Sequence, residues 1–122
     1  MRYSAREGDQ MLELTTQVSR GVMFIRIEGT IDKNNFYKVD DIINYLLYSQ
    51  GILVYVFNLE EVNSVDINLI NILQNKLTEI FLSCGSVGIC GIGEKLKKKL
   101  GSRKDRLFYL KEEKEVFQYI SI

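Results

Sequence analysis

The side chains that most often carry chemistry in enzymes are scarce in this chain of 122 residues. Histidine is absent, which excludes Ser-His and Cys-His catalytic pairs and any imidazole metal ligand. Cys84 and Cys90 are the two cysteines. Two thiols cannot complete a four-thiolate zinc site, and their spacing is not the Cys-x-x-Cys of thioredoxin-like enzymes. We therefore predict two reduced thiols, and no metal, cofactor or catalytic site.

Four carboxylates remain as candidates for acid–base chemistry. Asp32, Glu60, Glu61 and Asp66 follow predicted strands, so they could gather at one edge of a sheet. A paired-carboxylate hydrolase also needs a substrate cleft, and the sequence has no pattern of aromatic subsites for one. A receiver domain needs a phosphoacceptor aspartate after a central strand, where this chain has Asn58. We therefore predict that the protein is not an enzyme.

The glycine-rich segment 85–95 invites a phosphate-binding interpretation, because backbone amides in such loops can cradle phosphate. Gly88 and Gly93 have the six-residue spacing of a Walker A loop, but Glu94 stands where that loop needs lysine. The dinucleotide-binding pattern fails as well, since Gly91-Ile92-Gly93 lacks its third glycine. We predict instead that these glycines let a strand turn tightly into a helix.

Positive charge is concentrated in residues 95–106, although sixteen basic and sixteen acidic residues give the chain a formal charge of zero. This segment holds seven basic residues and one acidic residue, whereas residues 1–94 hold seven basic and twelve acidic ones. Such a run is typical of a solvated helix face, and it would also suit an acidic protein, nucleic acid or anionic lipid. No nucleic-acid-binding motif is present, so nucleic acid is not predicted as a partner.

The spacing of apolar residues predicts the elements that must position these side chains. Residues 1–10 read as a loose leader and residues 11–122 as one domain. An N-terminal hairpin precedes strictly alternating strands and helices, which indicates an α/β fold with a mixed, mostly parallel sheet of about five strands and about four helices. The predicted strands are Leu12–Val18, Val22–Glu28, Ile52–Phe57, Val87–Cys90 and Leu107–Leu110. The predicted helices are Asn34–Ser49, Glu94–Leu100, Lys111–Ile120 and, following Asp66, a second helix in chain order whose apolar stripe runs from Ile70 to Phe81.

In a parallel sheet, function concentrates at the carboxyl ends of the strands. Three loops leave those ends, Gly29–Asn35, Asn58–Asp66 and Gly91–Glu94. The longest apolar run, Ile52–Phe57, is too short to span a membrane, and no secretory signal pattern opens the sequence. We therefore expect a cytoplasmic protein without an integral membrane segment.

Three short motifs and their order resemble the STAS domain family, the anti-sigma-factor antagonists of bacteria. The family tends to show Gly-x-Leu/Ile-Asp after its second strand, then Asp-Leu-x-x-Val at the end of a strand, then Asp-Ser-Ser/Thr-Gly at the start of the second helix. The corresponding segments here are Gly29-Thr30-Ile31-Asp32, Asn58-Leu59-Glu60-Glu61-Val62 and Asp66-Ile67-Asn68-Leu69, followed by Gly85 and a strand at Val87–Cys90. The resemblance covers about residues 12–120.

The resemblance implies a transcription regulator that works by partner switching. The unphosphorylated domain binds a serine kinase that acts as an anti-sigma factor, and phosphorylation of the second hydroxyl in Asp-Ser-Ser/Thr-Gly breaks that contact. In this chain the phosphoacceptor position is Asn68, which has no hydroxyl, and the neighbouring serine position is Ile67. We therefore expect a retained binding surface that has lost the usual switch, with Ser64 as a candidate for a displaced acceptor.

The expected partner-binding residues are six polar side chains, five in the first two of the three loops and one at the start of the second predicted helix. They are Asp32, Asn34, Asn58, Ser64, Asp66 and Asn68. Asp32 and Asp66 have a second interpretation as helix N-caps, Asp32 for the helix predicted at Asn34–Ser49, and the two roles are compatible.

Two other functions stay open at this point. STAS-like domains also serve as accessory subunits that scaffold membrane transporters, and a missing phosphoacceptor suits that role equally well. Some members of the family bind nucleotide, but the failed phosphate-loop pattern argues against nucleotide here. The sequence leaves a homodimer open.

Overall fold

The computed structural model of the chain describes residues 2–7, 10–49, 52–83, 85–101 and 106–120, with the backbone alone for 2–7, 10–11 and 46–49. Within these residues, six strands form one sheet in chain order. They are β1 (Arg2–Glu7), β2 (Gln10–Ser19), β3 (Val22–Ile31), β4 (Val54–Val65), β5 (Ser86–Cys90) and β6 (Leu107–Leu110). The first three pair antiparallel, and β3 to β6 pair parallel. This confirms the predicted α/β fold with a mixed sheet.

Three α-helices connect the parallel strands, α1 (Phe36–Ser49), α2 (Ile70–Leu82) and α3 (Glu94–Leu100). The described part of the chain also contains two 3₁₀ helices, at Ile67–Leu69 just before α2 and at Glu113–Gln118 after β6. No helix in the described part of the chain is long and apolar enough to cross a membrane.

The main core lies between the sheet and the helices α1 and α2. Met23, Ile25 and Ile27 alternate along β3, and all three are buried in this core. β4 contributes Tyr55 and Phe57 to the same core. Alternate residues of a strand point to one face of the sheet, so these positions are the ones that helices must cover.

The opposite face of the sheet has a smaller apolar cluster of its own. Its buried members are Val22, Phe24, Val56, Cys90, Leu110 and Val116. Val116 lies in the 3₁₀ helix Glu113–Gln118, and the partly buried Phe117 and Ile120 pack against the same cluster. The central strand β4 is therefore covered on both faces, as its continuous apolar run predicts.

Residues 2–7 form strand β1, so the expectation of a loose leader over residues 1–10 is wrong for this segment. Arg2 pairs with Thr15 and Glu7 pairs with Gln10 in an antiparallel ladder with β2. Backbone hydrogen bonds hold such a ladder, so an edge strand can form without the strict apolar alternation on which the prediction relied.

Strand β4 continues to Val65, which corrects the loop predicted at Asn58–Val65. Its continuation pairs with the end of β3, down to Ile31 opposite Val65. Two register irregularities each insert one extra residue into β4, so the twelve residues of β4 run alongside the ten residues of β3. The partly buried side chains of this continuation, Leu59, Val62 and Val65, therefore recur every three residues. A regular strand repeats every two residues, so the apolar pattern at this point does not indicate a strand.

The chain end is a 3₁₀ helix over Glu113–Gln118 rather than the α-helix predicted at Lys111–Ile120. Glu112 and Glu115 form a capping box, in which each side chain accepts a hydrogen bond from the other residue's backbone amide. The thiol of Cys84 and residues 102–105 of the basic segment lie outside the described residues.

A buried lysine joins α1 to α2. The side-chain nitrogen of Lys76 on α2 lies 2.7 Å from carboxylate oxygens of Asp40 and of Glu79, and it donates to Asn44 Oδ1 at 2.8 Å. Burial alone would lower the pKa of Lys76, but the hydrogen bonds to the two carboxylates outweigh burial and raise it. The lysine therefore stays charged and holds the two helices in register.

A second polar contact attaches the C-terminal 3₁₀ helix to the sheet. Arg26 on β3 donates two hydrogen bonds to the Glu113 carboxylate, at 2.8 and 2.7 Å, and Asn58 Nδ2 donates a third at 2.9 Å. The hydrogen bond from Arg26 is the main reason that the pKa of Glu113 lies below its ordinary value of 4.5.

We expect Glu113→Gln to lower the free energy of unfolding by about 1 kcal/mol at neutral pH, because it removes a charge-assisted contact that is partly buried. Since the folded state lowers the pKa of Glu113, the contact stabilises the fold above pH 4.5 and loses that effect as the pH falls through the folded pKa. Urea denaturation at a series of pH values measures both effects. The matched control is Asp41→Asn, which removes an exposed carboxylate on α1. If Glu113→Gln lost as much free energy of unfolding on acidification as the native chain does, the loss could not be assigned to Glu113.

The buried hydroxyl of Tyr55 leads to the opposite expectation, because removing it should not lower the free energy of unfolding. Tyr55 is fully buried, and its hydroxyl has no hydrogen-bond partner within the part of the chain that the structure describes. Because an unpaired buried polar group costs free energy, Tyr55→Phe should leave the free energy of unfolding unchanged or raise it by up to about 1 kcal/mol. Urea denaturation is the measurement, and a clear loss of stability would mean that the hydroxyl is paired.

Candidate functional site

The turn after β3 is organised by two side chains that bond to each other's backbone. Asp32 Oδ1 accepts hydrogen bonds from the amides of Asn34 and Asn35, at 2.8 and 3.1 Å. Asn35 Oδ1 accepts in return from the Asp32 amide at 2.9 Å, and its Nδ2 donates to the Thr30 carbonyl at 2.8 Å. Asp32 is therefore a capping residue, and the turn delays the start of α1 from the predicted Asn34 to Phe36.

The turn before α2 is anchored to the end of β3. The Asp66 amide donates to the Ile31 carbonyl at 2.9 Å, directly after Ile31 and Val65 pair in the sheet. Asp66 Oδ1 accepts from the Asn68 amide at 2.9 Å, which confirms Asp66 as an N-cap, here of the 3₁₀ helix Ile67–Leu69. The Asp32 and Asp66 turns therefore lie side by side at the carboxyl ends of β3 and β4.

This capping fixes which side chains face outward at the start of α2. Leu69 is buried in the main core, whereas Ile67 is 52% exposed and Asn68 is exposed. An exposed apolar residue next to an exposed amide at a rigid turn forms a surface suited to contact with another protein.

A groove of about 440 Å³ opens beside this turn. The last residues of β4, the start of α2, the loop Gly91–Gly93 and one face of α3 form its walls. Its apolar lining is Leu59, Val62, Val65, Ile67, Ile70, Ile92 and Leu96, and the other lining residues are Asn63, Ser64, Gly91, Gly93, Lys95 and Lys99. Ser64 is exposed in the groove wall, where it pairs with Thr30 in the sheet.

Gly91 is required at the bottom of this groove. Its φ of +76° lies in the left-handed region, and a Cβ at this position would collide with the backbone of Glu60 in β4. Gly93 then occupies the N-cap position of α3. Gly91 and Gly93 thus lie in the tight strand-to-helix turn that the sequence predicts for segment 85–95.

The structure separates Asn58 from the other five predicted partner-binding residues. Asn58 lies opposite Arg26 in the sheet, about five residues or roughly 16 Å along β3 from Ile31, and its side chain bonds to Glu113 and to the Glu60 amide. It supports the C-terminal 3₁₀ helix and takes no part in the edge where Asp32, Asn34, Ser64, Asp66 and Asn68 lie.

The four predicted carboxylates do not converge either. Glu60 and Glu61 line a separate depression on the sheet with Arg26, whereas Asp32 and Asp66 cap their own turns. Among the described residues, no group of three or more acidic or cysteine side chains is arranged to hold a metal ion. Cys90 is a buried free thiol, and burial is the main cause that raises its pKa to about 12, so it is a poor nucleophile.

Sequence reasoning missed several residues that shape this edge. Asn35 is buried and closes the Asp32 turn, and Ile67, Ile92, Lys95 and Lys99 line the groove. A signal was present for the lysines, because positions 95 and 99 are four apart and share one face of a short helix. The interpretation of residues 95–106 as one basic segment obscured that spacing.

The fold is similar to that of two known anti-sigma-factor antagonists. The unphosphorylated form of the anti-sigma factor antagonist SpoIIAA has a TM-score of 0.67 at 14% identity, over 86% of this chain and 94% of that one. The phosphorylated form of SpoIIAA, described as a Bacillus cell fate determinant, gives the same TM-score and identity, over 86% of this chain and 97% of that one. An anti-sigma factor antagonist from Mycobacterium paratuberculosis has a TM-score of 0.58 at 17% identity, over 67% of this chain and 68% of that one.

No protein-family model and no curated protein sequence matches the chain. Because sequence identity to the similar structures is low, the similarity shows a shared arrangement of strands and helices and nothing beyond it. The chain has a STAS-like fold, the fold of the anti-sigma-factor antagonists.

Proposed function

We propose that the protein is a non-enzymatic binding module, an anti-sigma-factor antagonist homologue, that docks a partner protein on the turn Asp66–Leu69 and the adjoining groove. The observation that carries the proposal is the pairing of a STAS-like fold with an exposed Ile67 and Asn68 at a rigidly capped helix start. The expected partner is a serine kinase that acts as an anti-sigma factor.

The proposed binding surface needs little rearrangement before it meets a partner. The Asp66 carboxylate and the Asp66–Ile31 backbone hydrogen bond already fix the turn, so docking orders few additional groups. Preorganisation of this kind reduces the entropic cost of association and favours affinity without a large interface.

The proposed module does not switch by phosphorylation at the usual position. Asn68 occupies that position, and an amide side chain forms no phosphoester. Asn68 is also neutral, so it does not imitate the added charge of about −1.5 to −2 that a phosphate brings. Binding would then be constitutive at this surface, and regulation would lie in the amount of either protein.

The absence of a hydroxyl at position 68 also favours a second candidate function. An accessory subunit that scaffolds a membrane transporter complex needs a stable contact and no phosphorylation switch. The identity of the captured partner separates the two candidates, because one predicts a serine kinase and the other predicts a transporter subunit.

We expect Asn68→Glu to weaken retention of the partner by about tenfold or more, because it places a charge and added bulk in the centre of the docking surface. A carboxylate near a helix N-terminus does not destabilise the helix, so the variant should keep its melting temperature. The measurement is affinity capture of partner proteins from the cells in which the chain is native, quantified by mass spectrometry.

The matched control for this capture is Asn75→Glu, the same chemical change at an exposed α2 position two turns further on. The control should retain the partner fully. Equal retention by both variants would show that the partner docks elsewhere and would overturn the proposed surface.

Phosphopeptide mapping tests the lost switch separately. After incubation with the captured kinase and ATP, we expect no phosphate within residues 59–70, because Asn68 has no hydroxyl and Ser64 is held in the β4 ladder opposite Thr30. Phosphate on Ser64 would instead identify a displaced acceptor. An Ile67→Ser, Asn68→Ser double variant restores the two hydroxyls and serves as the positive control for kinase recognition.

A further inference from the structure

The groove beside the Asp66 turn combines an apolar floor with positive charge on one side. Its apolar lining residues come from β4, α2, the Gly91–Gly93 loop and α3, and Ile67 at its mouth is half exposed. Exposed apolar surface that is concave and bordered by charge is typical of a site where another chain inserts.

Two of the four lysines in α3 supply that charge. Lys95 and Lys99 are one helical turn apart, and both line the groove. Lys97 is directed elsewhere, because its side-chain nitrogen lies 4.9 Å from the centre of the Tyr109 ring. Lys98 is exposed and does not line the groove. The helix therefore presents one matched pair of charges to the groove.

The rest of the groove favours a negatively charged occupant. No acidic side chain is found among the described residues that line it. Lys99 also borders the shallow depression at Asn68 and Asn71, so its charge extends toward the start of α2. At ordinary ionic strength, charges within about 10 Å of a docking site steer the partner and set its orientation.

The apolar lining decides which class of macromolecule fits. Leucine, isoleucine and valine side chains dominate it, and none of the described lining residues is aromatic. Single-stranded nucleic acid is usually bound by stacking of its bases on aromatic side chains, so this groove is poorly built for it. An amphipathic peptide segment satisfies both the aliphatic floor and the charged border.

We infer that the groove binds an acidic amphipathic segment of the partner protein, with apolar side chains in the groove and carboxylates on Lys95 and Lys99. This inference rests on the proposed function, since it specifies what the docking surface recognises. It assigns the basic residues of α3 a role in choosing the partner rather than in binding nucleic acid.

The test uses two synthetic probes rather than the native partner. Both are fluorescein-labelled helical peptides of about 14 residues, or four turns, with leucines on one face, and they differ in carrying glutamate or lysine on the other face. Fluorescence anisotropy should show the glutamate peptide binding at least about tenfold more tightly than the lysine peptide at about 0.05 M salt, with the difference shrinking at about 0.5 M.

The charge-reversal double variant Lys95→Glu, Lys99→Glu should abolish or invert this preference. The double variant Lys98→Glu, Lys114→Glu is the matched control, with the same change in net charge at exposed positions outside the groove lining, and it should keep the preference. Amide chemical shifts should move at Leu59, Ile67 and Ile92 in the native chain. An equal loss of preference in both variants, or shifts confined to other surfaces, would overturn the inference.

The two proposals fail in distinguishable ways. If capture of the native partner responds to Asn68→Glu but not to Lys95→Glu, Lys99→Glu, the docking surface stands and the acidic segment is wrong. If the glutamate peptide binds as expected but native capture ignores Asn68→Glu, the groove recognises acidic segments and the proposed function is wrong.

Discussion

The parallel pairing of β3 with β4 is the constraint on which the candidate site depends. It ends with Ile31 opposite Val65, and the next amide along β4, that of Asp66, bonds back to Ile31. This places the Asp32 turn and the Asp66 turn side by side. The two extra residues in β4 contribute to the same site. They bring Leu59, Val62 and Val65 to the helical face, where these side chains form one wall of the groove.

The two faces of the sheet serve different purposes. The helical face holds the main core and ends in the groove at the carboxyl edge of the strands. The other face is closed by the C-terminal 3₁₀ helix, which Arg26 and Asn58 hold through Glu113. Charge follows the same division, since Glu60 and Glu61 lie in a depression with Arg26, and Lys95 and Lys99 line the groove. The two lysines would direct the negatively charged segment that we infer to the groove.

Much of this architecture could be predicted from the sequence, and the failures have physical causes. The period-2 pattern of β3 and the helical stripe of α1 were strong signals because burial demands them. β1 was missed because an edge strand needs only backbone pairing. The end of β4 was missed because bulges break its period. The acids were misjudged because sequence shows that carboxylates are near strand ends, but not which backbone amides they cap.

The site was predicted less completely than the fold. Five of the six expected polar residues do lie at one edge, because the carboxyl ends of parallel strands meet there. Asn58 does not, since the strand continues past it. The apolar side chains of the site, above all Ile67, could not be predicted in the same way. An isoleucine is usually buried, and only the structure shows that Ile67 is exposed.

Site-specific photo-crosslinking tests the central claim most directly. A benzophenone amino acid replaces Ile67 in the native cells, and Leu82, 80% exposed at the far end of α2, is the matched second position. The account predicts that one partner protein is cross-linked from position 67 and not from position 82, with no phosphate within residues 59–70 of the recovered chain. Cross-linking of that partner from position 82 alone would contradict the claim that the start of α2 is the docking surface.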